Sequence, residues 1–425
     1  MKKVFRIRLK TVTDKMSEQE MIVVRYLSQI LSLLFLFSCR QDTSVDANYI
    51  SIDLDSVKYQ PVHADTVFAQ VEYVCLETKP ECLLIDGMSS FYVTDKYIVA
   101  NNRMFGGEGA YLFDRRSGKF LHEIGKRGQG PDEYFTIYSE PFNERDDIFY
   151  FYRGLQRLGI DIHTNMVVEK VIKALKKTDD ITDDNLIFTK IDNIYKVDSL
   201  YYIGYVNNDT GDLPYLLVIF DKDGKIIKTF PNHQKYTDYQ TDRSIFVPGQ
   251  FYEYDGSLYF KEPNYNDTVF RVSLDTIIPH IVFELGNRKP NYAERENKEK
   301  NLNCYWIKYV RETEHYIFFD YNDLDYNSGY GDDNVKYYDG YYDKRTKKTI
   351  VTVSESKSKR GFVHKNRLFP PFHITRINKH EEAVCIIPAS DMKSYMEENK
   401  DVTFPTEFYD LKFDDNPVLI IAKVK

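Results

Sequence analysis

Five segments of this chain repeat one pattern, and the repetition constrains the fold more than any other feature. Each has an apolar run, an Asp, a short polar turn and a second apolar run. Tyr111-Leu-Phe-Asp-Arg-Arg-Ser-Gly-Lys-Phe-Leu121 and Leu217-Val-Ile-Phe-Asp-Lys-Asp-Gly-Lys-Ile-Ile227 are the clearest pair. Gly340-Tyr-Tyr-Asp-Lys-Arg-Thr-Lys-Lys-Thr-Ile350 repeats it with Lys347 in the glycine position. Gly159-Ile-Asp-Ile-His-Thr-Asn-Met-Val-Val168 has Asn165 there, a residue that tolerates the left-handed conformation. Thr268-Val-Phe-Arg-Val-Ser-Leu-Asp-Thr-Ile-Ile278 is the loosest copy. A polar, Gly-bearing turn between apolar runs predicts a β-hairpin.

The Asp positions 114, 161, 221, 275 and 343 are 47, 60, 54 and 68 residues apart. Spacings of this size hold four short strands with their loops, and radial packing of such units makes a β-propeller. Residues 49–425 accommodate roughly six of them. The expected fold is therefore all-β: a six-bladed β-propeller with four-stranded blades. Ile50, Ile52 and Leu54 alternate at the start of this region, and Asn416–Lys425 reads as a strand at its end. Pairing of the N- and C-terminal strands in one sheet is expected to close the ring and protect its edges. Aromatic residues make up 15% of the chain, with 35 Tyr and 28 Phe against one Trp, which suits half-buried pleated strands.

Two stretches depart from the β pattern. Pro290–Val310 is charged and then aromatic, and is expected to be a helical insertion. Ser390–Asn399 reads as a short helix capped by Ser390, with Asp391 in its first turn. Asp320–Asp339, rich in Tyr, Asn, Gly and Asp, is expected to be a long polar loop.

Formal charge is −8; the first 38 residues carry seven basic and three acidic side chains, so the remainder is close to −12. Such a surface repels phosphate backbones, and no nucleic-acid partner is expected. Residues 1–20 mix both signs and read as a mis-assigned leader, with Met16 and Met21 as alternative starts. Residues 21–38 read as a lipoprotein signal peptide: Arg25 is the positive n-region and Ile30–Phe37 the apolar h-region. Leu36-Phe37-Ser38-Cys39 resembles a bacterial lipobox, with Phe37 bulkier than usual, which makes Cys39 the expected lipidation site. Residues 39–48 would then tether the propeller, residues 49–425, to a Gram-negative membrane. The expected location is the outer membrane, with the protein facing the periplasm or the cell surface. Cys75, Cys82, Cys304 and Cys385 remain; Cys75 and Cys82 are near enough in sequence to bridge a hairpin, and buried free thiols are the alternative.

The loop Gly125-Lys-Arg-Gly-Gln-Gly-Pro-Asp-Glu-Tyr134 follows the first hairpin. With the Asp-x-x-x-Gly-Lys turn before it, Leu76-Glu77-Thr78 and Asp415-Asn416-Pro417-Val418-Leu419, it resembles the six-bladed β-propeller lipoproteins of gut anaerobes, which are similar to NHL-repeat propellers. That family's loop ends Gly-Pro-Gly-Glu-Tyr or Phe; Asp132 stands here in place of the last Gly. The resemblance spans residues 49–425 and implies fold and export, but no activity.

The glycines of this loop can converge backbone N–H groups on an anion, and Lys126 and Arg127 add charge; Pro131 removes a donor, and no Gly-Lys-Ser/Thr follows. A connector between blades is the competing reading. Acidic pairs such as Asp146-Asp147 and Asp414-Asp415 match no EF-hand, and the nine His show no ligand spacing. No cofactor is therefore expected, with calcium or zinc held in the central channel as the alternative. Exposed Tyr and Trp306 would suit a glycan or protein partner. The candidate binding residues are thus Lys126, Arg127, Tyr134, Trp306 and Tyr330. The expected function is an envelope-anchored, non-catalytic binding or scaffolding propeller for glycan or envelope protein. The alternative is a metal-dependent lyase or hydrolase using the central channel.

Overall fold

The computed structural model describes residues 49–87, 89–102, 109–137, 142–153, 156–172, 191–208, 213–234, 249–262, 265–294, 303–323 and 335–425. Two strands, β1 (Ile50–Asp53) and β2 (Phe68–Cys75), precede the first blade. Blade 1 is β3 (Ser89–Val93), β4 (Tyr97–Asn102), β5 (Gly109–Asp114) and β6 (Phe120–Glu123). Blade 2 is β7 (Phe142–Asn143), β8 (Ile148–Arg153), β9 (Gln156–Asp161) and β10 (Met166–Ile172). Blade 3 is β11 (Ile191–Lys196), β12 (Tyr201–Val206), β13 (Tyr215–Asp221) and β14 (Ile226–Pro231). Blade 4 is β15 (Gln250–Tyr254), β16 (Ser257–Lys261), β17 (Thr268–Val272) and β18 (Ile277–Glu284). Blade 5 is β19 (Trp306–Glu312), β20 (Tyr316–Asn322), β21 (Tyr337–Asp343) and β22 (Lys348–Ser354). Blade 6 is β23 (Ile374–Ile377), β24 (Glu382–Ile387) and β25 (Val418–Val424), completed by β2. The first strands β11, β15, β19 and β23 lie against one another, which places them around the axis. The fold is a six-bladed β-propeller.

The aromatic content follows from this packing. Middle strands are covered on both faces, so β4, β8, β13 and β20 are almost wholly buried, whereas the outer β10 alternates. The two-residue period sorts each strand between two interfaces. Phe91 and Val93 pack with Val384, Leu419 and Ile421 of blade 6, while Tyr92 between them packs with Phe149 and Phe151 of blade 2.

The repeated Asp organises the outer hairpins. Its carboxylate accepts from backbone N–H groups two to four residues on: Ser117 to Asp114, Thr164 to Asp161, Lys225 to Asp221 and Arg345 to Asp343, all at 2.8–2.9 Å. Asp275 departs from this; Ser273 Oγ accepts from Asp275 N and Thr276 N instead. Gly118 sits at φ +68°, and a Cβ there would lie 2.0 Å from Cys75 O. Lys347 takes the same left-handed conformation at φ 57° despite its side chain.

The ring closes where β2 pairs antiparallel with β25, Phe68 opposite Val424 and Cys75 opposite Val418. The alternating segment at Ile50 has a different role. β1 lies parallel on the outer edge of blade 4, Ile50 opposite Ile281. Tyr59 then bridges Val351 on the edge of blade 5, and His63 bridges Val363. The segment before blade 1 is thus a strap over the outer edges of blades 4, 5 and 6.

The expected helical insertion is, in its described part, a single 3₁₀ turn at Tyr292–Glu294 followed by β19. Apolar Trp306, Ile307 and Val310 are drawn into the blade core. Asp320 and Asp339 are buried strand residues of β20 and β21, so the expected loop narrows to the residues between these strands, of which 324–334 lie outside the described residues. Helices α1 (Ala64–Val67), α2 (Ala389–Glu398) and α3 (Thr406–Tyr409) decorate blade 6. Pro388, not Ser390, is the cap of α2, accepting from Met392 N at 3.0 Å. The four cysteines among the described residues are free thiols, Cys82, Cys304 and Cys385 of them buried.

Candidate functional site

Tyr309, Asp320 and Asp339 stand side by side across three strands of blade 5. Tyr309 on β19 is directly opposite Asp320 on β20, which is directly opposite Asp339 on β21. Residues paired in this way project from one face of the sheet with Cβ atoms about 4.5–5.5 Å apart. Facing carboxylates repel, and both are more than nine-tenths buried, at 6% and 2% exposure. A cation must hold them.

Arg360 is that cation. It arrives from the connection between blades 5 and 6, where Phe362 and Phe372 exchange backbone hydrogen bonds at 2.9 and 3.0 Å. Gly361, at φ +103°, presses so closely on Phe372 that a Cβ would meet its carbonyl oxygen at 2.1 Å. This close approach turns Arg360 inward. Its Nε donates to Asp339 Oδ2 at 3.2 Å, and its Nη2 to Asp339 Oδ1 at 3.2 Å and Asp320 Oδ2 at 2.9 Å. His373 Nδ1 lies 2.7 Å from Asp339 Oδ1 and donates to it. Burial alone would raise the Asp339 carboxyl; Arg360 and His373 outweigh it and hold the group below its ordinary range. Burial opposes the Arg360 charge as well, but the two carboxylates raise its pKa.

This network floors a cleft of about 970 Å³ between blades 5, 6 and 1. Asp320, Arg360 and His373 line it, as do Lys308 and Tyr309 of β19. Its other walls come from Leu83–Phe91, from Pro370–Phe372, from the start of α2 and from Phe413–Asp415. Two aromatic rings in the lining are well exposed, Tyr309 at 39% and Phe413 at 56%. A concave cleft that combines exposed rings with convergent polar groups is a form ligand sites take.

The opposite end of the axis is crossed by side chains. Lys379 of blade 6 donates from Nζ to Glu144 O at 2.9 Å and from its backbone N to Glu144 Oε2 at 3.0 Å. Arg145 of the same turn in blade 2 reaches Lys196 O of blade 3 at 3.0 Å and Glu253 of blade 4 at 3.2 Å. Blade 2 neighbours neither blade 4 nor blade 6, so these contacts span the channel. Among the described residues, no three His, Cys, Asp or Glu side chains come together in a metal-holding arrangement.

The residues singled out by sequence lie elsewhere. Lys126 and Arg127 are exposed on the connection between blades 1 and 2. The loop's anion is its own: Glu133 accepts from Gly130 N at 2.7 Å and pairs with Lys126 Nζ at 2.6 Å. That self-pairing supports the connector reading of the loop. Tyr134 is fully buried and stacked on Phe151, centroids 3.9 Å apart, and burial pushes its hydroxyl pKa up. Trp306 is fully buried too, edge-on to Tyr265 at 4.9 Å, so neither ring is available to a partner. Cys39 and Tyr330 lie outside the described residues. Sequence reasoning missed Tyr309, Asp320, Arg360, His373 and Phe413. The one available signal was Asp320 and Asp339 at the margins of the Tyr-rich segment.

The chain belongs to the family described as a domain of unknown function, DUF4934, whose model matches residues 49–423. No curated protein matches it. In fold it is similar to a presumed exported protein of Bacteroides fragilis NCTC 9343, at 16% identity and a TM-score of 0.61, covering 89% of this chain and 99% of that one. It is also similar to a member of the DUF4221 family from Bacteroides vulgatus ATCC 8482, at 10% identity and a TM-score of 0.51, covering 84% and 97%.

Proposed function

We propose that this member of the DUF4934 family is an exported, non-catalytic binding module whose ligand seat is the cleft between blades 5, 6 and 1. One observation carries the reading. The buried carboxylates at the cleft floor are tied to one another through Arg360, while exposed rings and prolines share the walls with Asp and Lys side chains. Hydrolysis needs a nucleophile and base within reach of each other, or two carboxyls on either side of a bond. Here both buried carboxylates are held by one guanidinium. Export is supported by the signal-like segment ending at Cys39 and by the description of the B. fragilis protein. Lipidation of Cys39 would hold the module at the outer membrane.

The test is a thermal-shift screen of the full chain, in mild detergent, against soluble glycans and peptides. Ser358 lines the cleft and is exposed, so Ser358→Trp fills the seat without touching the core. A ligand that raises Tm in the parent but not in Ser358→Trp, and is recovered unchanged by mass spectrometry, supports the reading. Equal stabilisation of both proteins, or chemical conversion of the ligand, overturns it. Fractionation checks the anchor: Cys39→Ser should move the protein from membrane to soluble fractions.

A further inference from the structure

Building on the cleft as the ligand seat, we propose that its ligand is a neutral carbohydrate. In this assignment Asp320 and Arg360 read two adjacent hydroxyls, and Tyr309 stacks on the sugar's apolar face.

The clamp leaves two atoms unused. Asp320 spends Oδ2 on Arg360, and no hydrogen bond of Oδ1 exists among the described residues. Arg360 spends Nε and Nη2, and no hydrogen bond of Nη1 exists among them either. Both side chains line the cleft while their residues are at least nine-tenths buried, at 6% and 9% exposure. Neither atom is among the fully buried ones that lack a partner, so each opens onto the cleft, where a ligand group can replace its water. One is an acceptor and the other a donor, on groups already joined at 2.9 Å. Adjacent hydroxyls supply the complementary donor and acceptor.

Charge selects against an anion. Five carboxylates line the cleft (Asp86, Asp320, Asp391, Asp414 and Asp415) against three cations (Lys308, Lys357 and Arg360), so a phosphate or carboxylate ligand would be repelled. The sheet register adds the second recognition element. Tyr309 is the direct cross-strand partner of Asp320, so an exposed ring stands beside the hydroxyl-reading pair on one sheet face. The ring's negative face attracts the weakly positive C–H groups of a sugar. Asp339, Arg360 and His373 fix the rotamers beforehand, which lowers the ordering cost of binding.

Isothermal titration calorimetry of the full chain with neutral methyl glycosides and trisaccharides of glucose, galactose and mannose tests this. At least one should bind, and its analogue lacking one of two adjacent hydroxyls should bind about tenfold weaker or worse. Tyr309→Ala should weaken binding by about tenfold, with at most a small fall in Tm because the ring, though partly exposed, is covered on one side by the Arg311 guanidinium 4.5 Å from its centroid. Asp320→Asn should do the same if it folds; Tyr309→Ala keeps the test decisive if it does not. Failure of every sugar to bind, or full affinity in Tyr309→Ala, overturns the proposal. A peptide whose binding is lost in Ser358→Trp, with no sugar bound, would overturn the carbohydrate assignment while leaving the cleft as the seat. If no ligand responds to Ser358→Trp, both fail.

Discussion

Asp320 and Asp339 face each other in register across β20 and β21, and only a side chain from the next connection, Arg360, lies between their charges. Two carboxylates that would otherwise repel are thereby made a rigid floor joining blade 5 to the connection into blade 6. The arrangement makes Arg360 a structural residue as well as a lining one.

Arg360→Leu should therefore destabilise the propeller by about 3–5 kcal/mol, because it leaves the facing buried carboxylates with only His373, on Asp339, beside them among the described residues. Chemical denaturation measures it. The loss should depend on pH in a definite direction. The folded Asp339 carboxyl lies below its unfolded value, so its contribution is present above about pH 4 and is lost as pH falls through the folded value. The gap between parent and variant should be widest near neutrality and narrow in acid. A gap that widens in acid would overturn the assignment.

Lys347 occupies a left-handed position that glycine fills in the equivalent hairpins at Gly118 and Gly224. Lys347→Gly relieves that conformation, though glycine also gains freedom in the unfolded chain. The expected net effect is stabilisation by about 0.5–1 kcal/mol, read as a higher Tm in calorimetry. Gly118→Ala should act oppositely and more strongly, since its Cβ would strike Cys75 O.

The strap should divide into a part the fold can lose at a cost in stability, since Ile52 and Leu54 are fully buried, and an essential part. Deleting residues 49–60 removes β1 and the Tyr59 bridge from edges that are already complete four-stranded sheets. That variant should fold and melt cooperatively. Deleting residues 49–76 removes β2, the fourth strand of blade 6, and leaves β25 as an open apolar edge. Aggregation or loss of a cooperative transition is expected, as size-exclusion chromatography and calorimetry would show.

The four propeller thiols should be unreactive in the native state. Burial pushes the Cys75 thiol to about 11 and the Cys385 thiol up as well. Since the thiolate is the reactive form, a colorimetric thiol reagent at pH 8 should label them slowly before denaturation and all four quickly after it. Rapid native labelling would show that Cys75 is more open than its packing implies.

Hairpins, blade number and the ring's closing strand at the C-terminus were legible in the sequence, because they rest on local chemistry. Asp114, Asp161, Asp221 and Asp343 hydrogen-bond to backbone within four residues, so the turn is written where it forms. The glycine loop was legible as a connector but not as a self-paired one, since Lys126 and Glu133 meet only when it folds back. Trp306 and Tyr134 looked like surface rings because composition carries no burial; blade packing enclosed both. The cleft lay beyond local reading altogether. Arg360 meets Asp339 and Asp320 across 21 and 40 residues, from a different connection and different strands. A charge pattern in one segment does not say which distant charge will answer it. Sequence periodicity alone determined the propeller; only the stacking of blade 5 against blade 6 decided which polar atoms face a ligand.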